Sequence, residues 1–303
     1  MSDQLLLVSV GNTRTRFALV RNGQIEPSLV ETNADPLALA AAVKRSCLDA
    51  RAEPSPDEED ASPPSPPPVL IATVNKPVSD LLRTALKAAG HKVWHLGTSK
   101  ADLGGGGADG LPIPIMHTLE DITTVGPDRL LDALGAFTRV KQACVVIDAG
   151  TAITVDFIDG EGTFHGGAIA PGVQMMLDAM HERTAALPSV TLTPDLFPPT
   201  DLAKPPFGRA TAPAMVLGAL SAARGLVRLL IDRYAEYYEA YPRIIATGGD
   251  APMLFENDEL VEHIVPDLTL VGMLEAYRRL EQLEEADEHN TSSQATNEDE
   301  HQE

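Results

Sequence analysis

Leu-Leu-Val-Ser-Val-Gly-Asn-Thr-Arg-Thr-Arg-Phe-Ala-Leu-Val at residues 6–20 and Val-Val-Ile-Asp-Ala-Gly-Thr-Ala-Ile-Thr-Val-Asp-Phe-Ile-Asp at residues 145–159 are one pattern written twice. Overlaid, Gly11 falls on Gly150 and Ser9 on Asp148. Each copy reads as a buried apolar strand, a tight turn at a glycine with hydroxyl and amide neighbours, and an outgoing strand. Glycine lets backbone N–H groups approach an anion closely, so two such hairpins facing each other can hold a polyphosphate. The duplication predicts two related halves with a nucleotide cleft between them.

At 303 residues, 44% of them hydrophobic, the chain is long enough for about two domains with their own cores. Cys47 and Cys144 stand far apart, with neither metal-ligand spacing nor a disulfide framework, and read as core residues in a reducing compartment. No basic segment precedes the short apolar run from Leu5 to Val10, and no stretch reads as the roughly 18 apolar residues of a membrane span. The expectation is a soluble cytoplasmic protein that does not engage membranes. The net charge is −21, but residues 53–68 carry five acidic groups and residues 281–303 carry nine, with no Lys or Arg in either. That leaves about −7 for the rest, an acidity of linkers and tails that argues against nucleic-acid binding.

Along the chain, strands are expected at 4–10, 14–21 and 25–31, then a helix over 36–49. The Pro-rich acidic stretch 52–68 follows, and it cannot build a core. A strand, a helix and a strand then run to about residue 96. Gly104–Gly107 is a flexible loop without the Lys-Ser/Thr ending of a P-loop. A helix opens near Gly126-Pro127 and runs to about Lys141. After the second hairpin come a third strand over about 163–169, a helix from Gly172, a long helix over 212–240, a strand at 243–247 and a last helix over 270–283. The reading is α/β throughout, in two halves: 1–125, with a disordered insertion at 52–68, and 126–283. A disordered acidic tail closes the chain over 284–303. Periodicity alone supports two α/β halves.

Several residues can carry chemistry. Gly11, Asn12 and Thr13 make either a plain turn or, with Gly150-Thr151-Ala152, a phosphate site. Asp148 ends an apolar strand, where it either caps the turn or holds a cation. Asp128 in Gly126-Pro127-Asp128-Arg129 suits the first turn of a helix. Beside Arg129 it can also deprotonate an alcohol whose carboxylate the guanidinium clamps. Thr211 before Ala212-Pro213 looks like an ordinary N-cap. Ala214, Gly218, Ala222 and Gly225 recur at helical spacing, either as core packing or as a subunit contact. Thr247-Gly248-Gly249-Asp250 makes a turn or covers an adenine.

Taken in order, the Gly11-Asn12-Thr13 hairpin, Gly126-x-Asp128-Arg129, Asp148-x-Gly150-Thr151-Ala152, Gly166-Gly167-x-Ile169-x-Pro171-Gly172, Leu187-Pro188, Gly208-Arg209-x-Thr211, Thr247-Gly248-Gly249 and Leu268-Thr269-Leu270-x-Gly272 resemble the type III pantothenate kinase family, which includes the Bvg accessory factor proteins. The resemblance runs from residue 5 to about 280. It implies a duplicated ribonuclease-H-like fold of the actin and sugar-kinase superfamily. It also implies transfer of the ATP γ-phosphate to pantothenate, the first step of coenzyme A synthesis, by a homodimer using Mg²⁺ and a monovalent cation, K⁺ or NH₄⁺. By that resemblance Asp128 is the proton acceptor, and Gly126, Pro127, Asp128, Arg129 and Thr211 contact pantothenate. Asp148 coordinates the monovalent cation. Ser9, Val10, Gly11, Asn12, Thr13, Arg14, Thr15 and Arg16, with Thr151, contact ATP.

One residue departs from the family pattern. Its first motif begins with Asp, and Ser9 stands there. A serine hydroxyl can hold a metal-bound water but supplies no negative charge. Two readings follow: an active kinase that works with Ser9, or a non-catalytic nucleotide- or pantothenate-binding relative with a regulatory role.

Overall fold

The computed structural model describes residues 4–49, 66–98, 110–193 and 206–299. The Pro-rich stretch up to residue 65 and the glycine run 104–107 lie outside the described residues. The chain divides into two compact units, Met1–Ile115 with Thr123–Gly135 and Thr269–Glu303, and Met116–Ile122 with Ala136–Leu268.

The first unit is built on β1 (Gln4–Val10), β2 (Arg14–Arg21), β3 (Gln24–Ile25), β4 (Leu29–Thr32), β5 (Val69–Thr73), β6 (Val93–Gly97) and β7 (Gly110–Pro112), with α1 (Pro36–Asp49) and α2 (Lys76–Ala88). The strands lie in the order β3-β2-β1-β5-β6-β7, with β4 also on β2. Leu6, Leu7 and Val8 of β1 are fully buried, as expected of a strand covered on both faces. β1 runs antiparallel to β2 and parallel to β5. The helices start where sequence chemistry starts them. Asp35 Oδ1 accepts from the backbone N–H of Leu37 and Ala38 ahead of α1, and Asn75 Oδ1 accepts from Val78 N–H ahead of α2.

The second unit repeats the plan with β8 (Cys144–Ala149), β9 (Ala152–Ile158), β10 (Phe164–Pro171), β11 (Arg243–Thr247) and β12 (His263–Ile264), plus α4 (Val173–Glu182), α5 (Thr211–Tyr238) and the short α6 (Ala251–Phe255). Its order is β10-β9-β8-β11-β12. In both units the first strand pairs antiparallel with the second and parallel with the strand that returns after a helical crossover. This is the duplicated ribonuclease-H-like fold. Ser9 and Asp148 occupy the same place in each copy, one residue before the end of the central strand. Cys144 is buried, and burial pushes its thiol pKa up to about 12, the state of an inert core sulfur.

α3 (Pro127–Val140) and α7 (Leu268–Asp299) complete the set. In the first unit, Thr269 Oγ1 donates to Asp132 Oδ1 (2.6 Å), a carboxylate only 2% exposed. A side chain at Gly272 would collide with the carbonyl of Leu131, so the two backbones meet there. These two contacts account for Thr269 and Gly272 of the Leu268-Thr269-Leu270-x-Gly272 motif, whose two leucines are buried.

Three expectations differ from what is seen. The strand over 25–31 is divided, because Pro27 has no N–H to give a ladder and the chain resumes pairing only at Leu29. The last helix continues past 283 to Asp299. And α5 is by length and composition apolar enough to cross a membrane, although the sequence reading found no such stretch. Met215, Val216, Ala219, Leu220, Ala223, Val227 and Ile231 carry that apolarity into the core of the second unit, while Ala214, Gly218, Ala222 and Gly225 add small residues on exposed positions.

Candidate active site

The first hairpin turns at residues 11–13. Gly11 N–H donates to Arg14 O (3.0 Å), and a Cβ at Gly11 would come within 2.9 Å of that oxygen. Asn12, Thr13 and Arg14 are exposed, Ser9 and Arg16 half-buried, and Val10 and Thr15 buried. Arg16 Nη1 donates to Ser28 Oγ (3.2 Å), which steadies it along β2.

Two asparagines that sequence reasoning missed hold this turn. Asn33 Nδ2 donates to the carbonyl of Gly11 (2.8 Å) and to that of Asn12 (3.3 Å). Its backbone N–H reaches Thr13 O (2.9 Å), and its Oδ1 accepts from the buried Thr15 hydroxyl (2.7 Å). Asn75 Nδ2 donates to Asn12 O (3.1 Å), and its neighbour Val74 donates N–H to Val10 O (3.0 Å). The N-cap role of Asn75 was visible in Asn-Lys-Pro; its second hydrogen bond spans 63 residues and leaves no local trace.

Val74 also borders the second group of residues. A Cβ at Gly126 would lie 3.5 Å from Val74 Cγ1 and would collide with Asp128 Oδ1. The carboxylate of Asp128 therefore folds back into the space that a side chain at Gly126 would take. Its Oδ1 accepts from Arg129 N–H (2.9 Å), Pro127 is buried, and Asp128 and Arg129 are half-buried. Within one unit, the hairpin and the Gly126–Arg129 turn thus adjoin through Val74.

In the second unit, Gly150 N–H closes the turn on Ala152 O (3.0 Å). Gly172 N–H donates to Thr151 O (3.0 Å) and Asp250 N–H to Ala149 O (2.9 Å). A side chain at Gly172 would strike the carbonyls of Gly150 and Thr151, and one at Gly248 the carbonyl of Ala149 and the carboxylate of Asp148. The two glycine motifs are close approaches to the second hairpin, Gly172 over its turn and Gly248 against Ala149 and Asp148. Among the described residues there is no cluster of three or more His, Cys, Asp or Glu that could cage a metal.

Thr211 is not the N-cap of α5. Ala210 holds that position, with no side-chain cap, and Thr211 is the first helical residue, exposed. His165 is absorbed structurally: Nε2 donates to Asp159 Oδ2 (2.8 Å), and Thr118 Oγ1 lies 3.3 Å from Nδ1. Partial burial would raise the Asp159 pKa, but the bonds from His165 and from Thr163 and Glu161 N–H outweigh it and hold the carboxyl below its usual range.

Residues 5–233 match the family model described as type III pantothenate kinase. The type III pantothenate kinase of Rhodospirillum rubrum is 41% identical over 161 residues, 53% of this chain and 60% of that protein. That of Paramagnetospirillum magneticum is 36% identical over 173 residues, 57% and 64%. For Syntrophotalea carbinolica the figures are 34% over 211 residues, 70% and 76%. The matches with the first two span less than two thirds of those relatives. With the glycine-closed hairpins and the Gly126–Arg129 turn in the family's order, and with most of its length matched, this chain belongs to the type III pantothenate kinase family.

Proposed function

We propose that the chain transfers the γ-phosphate of ATP to the primary hydroxyl of pantothenate, yielding 4'-phosphopantothenate and ADP in the first step of coenzyme A synthesis, in the cytoplasm. The observation that carries this reading is the junction at Val74, where a polyphosphate-type turn and a helix-opening acid adjoin in one unit. Asp128 takes the hydroxyl proton as the oxygen attacks the γ-phosphorus and the bond to the β-phosphate oxygen breaks. Arg129 pairs with the pantothenate carboxylate, and Gly126, Pro127 and Thr211 line the alcohol. Residues 9–16 and Thr151 bind the phosphates, with Asp148 beside a monovalent cation. Asp148 would hold K⁺ or NH₄⁺, which with the Mg²⁺ carried by ATP would supply positive charge against the polyphosphate.

The test is pantothenate-dependent formation of ADP with Mg²⁺ and K⁺, with phosphopantothenate identified by mass. Wild type is expected to turn over. Ser9→Asp is expected to raise kcat/KM by about 10–100-fold by restoring a carboxylate near the metal. A silent wild type whose activity appears only in Ser9→Asp would instead identify a binding relative that lost its chemistry at that position.

The homodimer belongs to the same proposal, with α5 as the contact. Gly218 and Gly225 are exposed, and a Cβ on either would meet nothing within 4 Å, so a second helix backbone has room to approach. Sedimentation velocity should give a dimer for wild type and a monomer for Gly218→Trp; a wild-type monomer would refute it.

A further inference from the structure

We propose that Asn33 and Asn75 are positioning residues for the ATP phosphates: by pinning the carbonyls of Gly11 and Asn12, they fix the side on which the first hairpin presents its N–H groups. The proposal rests on the kinase reading above. A peptide unit is planar, with C=O and N–H directed oppositely, so whatever holds a carbonyl on one side turns the following N–H to the other. A turn built on glycine can rotate such a plane easily. Rotation would bring a carbonyl oxygen against the phosphate and replace attraction with repulsion.

The pins come from both flanks of the hairpin. Asn33 follows β4, the neighbour of β2, and Asn75 follows β5, the neighbour of β1. The second unit makes the same grip by other means. Its turn is held at Thr151 O by Gly172 N–H, just after the neighbour of β9, and at Ala149 O by Asp250 N–H, just after β11. In the overlay of the two repeats, Ala149 falls on Val10 and Thr151 on Asn12. Val10 O is held by Val74 N–H, and Asn12 O by both asparagine amides. The same two carbonyls are therefore held in both copies: the Val10/Ala149 carbonyl by a backbone N–H each time, and the Asn12/Thr151 carbonyl by side-chain amides in one copy and a backbone N–H in the other. Two unrelated solutions at one position mark a requirement of the hairpin rather than an accident of packing.

Asn75 allows its two roles to be separated. Serine at 75 still caps α2 but has no amide for Asn12 O, and aspartate caps it and adds a negative charge. In calorimetric titrations of the full chain with Mg-ATP, Asn75→Ser should raise Kd about 5–10-fold and Asn75→Asp more. Asn33→Ser together with Asn75→Ser should exceed either single change. KM for pantothenate should not move, and the unfolding temperature of Asn75→Ser should stay within about 2 °C of wild type. Wild-type binding with unaltered Kd in Asn75→Ser and in the double variant would overturn this proposal alone. A wild type that binds no nucleotide would overturn the kinase reading and this proposal with it.

Discussion

Asp128→Asn is expected to lower kcat for pantothenate phosphorylation by about 10²–10⁴-fold while Mg-ATP affinity and unfolding temperature stay at wild-type values. The substitution is nearly isosteric. An asparagine carbonyl oxygen can still accept from Arg129 N–H, as Asp128 Oδ1 does at 2.9 Å. It can also occupy the space over Gly126 that a Cβ would otherwise fill. What disappears is the ability to take a proton, so a loss confined to kcat isolates base chemistry from helix capping. Steady-state rates at saturating ATP and pantothenate, together with direct ATP titration, make the distinction. Full activity in Asp128→Asn would remove Asp128 from the mechanism and leave it a first-turn acid that suits the helix dipole.

Gly248→Ala should destabilise the protein by about 2–5 kcal/mol, from the left-handed backbone and from overpacking together. Gly248 has φ +93, a conformation that L side chains rarely adopt. The added methyl would meet the carbonyl of Ala149 and the carboxylate of Asp148. Relief requires moving the loop after β11, which also carries Asp250, the donor that holds Ala149 O. On the proposed cation role of Asp148, the K⁺ dependence of turnover should weaken in parallel, because the added methyl meets that carboxylate. Urea unfolding gives the first quantity and rates across a K⁺ series the second. A stability change below about 1 kcal/mol would mean that the loop yields easily and that glycine is not required there.

The hairpins were legible because a strand ending in glycine plus a small polar residue is a local signal, and its repetition fixed both copies. α3 was legible for a similar reason: Pro127 and Asp128 announce a helix start within two residues. The features that escaped act at a distance or shift by one position. Asn33 works across 22 residues, Asn75 across 63, and Asp132 accepts from Thr269 across 137. None of these pairings alters a hydrophobic period. Thr211 was read as a cap because Thr-Ala-Pro has the right composition, yet the helix begins at the threonine itself. The apolar length of α5 was underestimated because small and large residues alternate along it, and its buried side emerges only once the sheet beneath is known.

The two ways of holding a turn differ in what mutation can do with them. The second hairpin is fixed by main-chain N–H groups beside glycines with no room for a Cβ, so nearly every change there disturbs the backbone itself. The first shares one such main-chain bond, Val74 N–H to Val10 O, but its Asn12 carbonyl is held by two replaceable side chains, one of which sits half outside a helix and tolerates other capping residues. Affinity for nucleotide can therefore drift by single codon changes at position 75 without endangering folding, whereas a change at 33 also strands the buried Thr15 hydroxyl. In a gene that began as a duplication, that leaves one copy as the rigid partner and the other as the adjustable one.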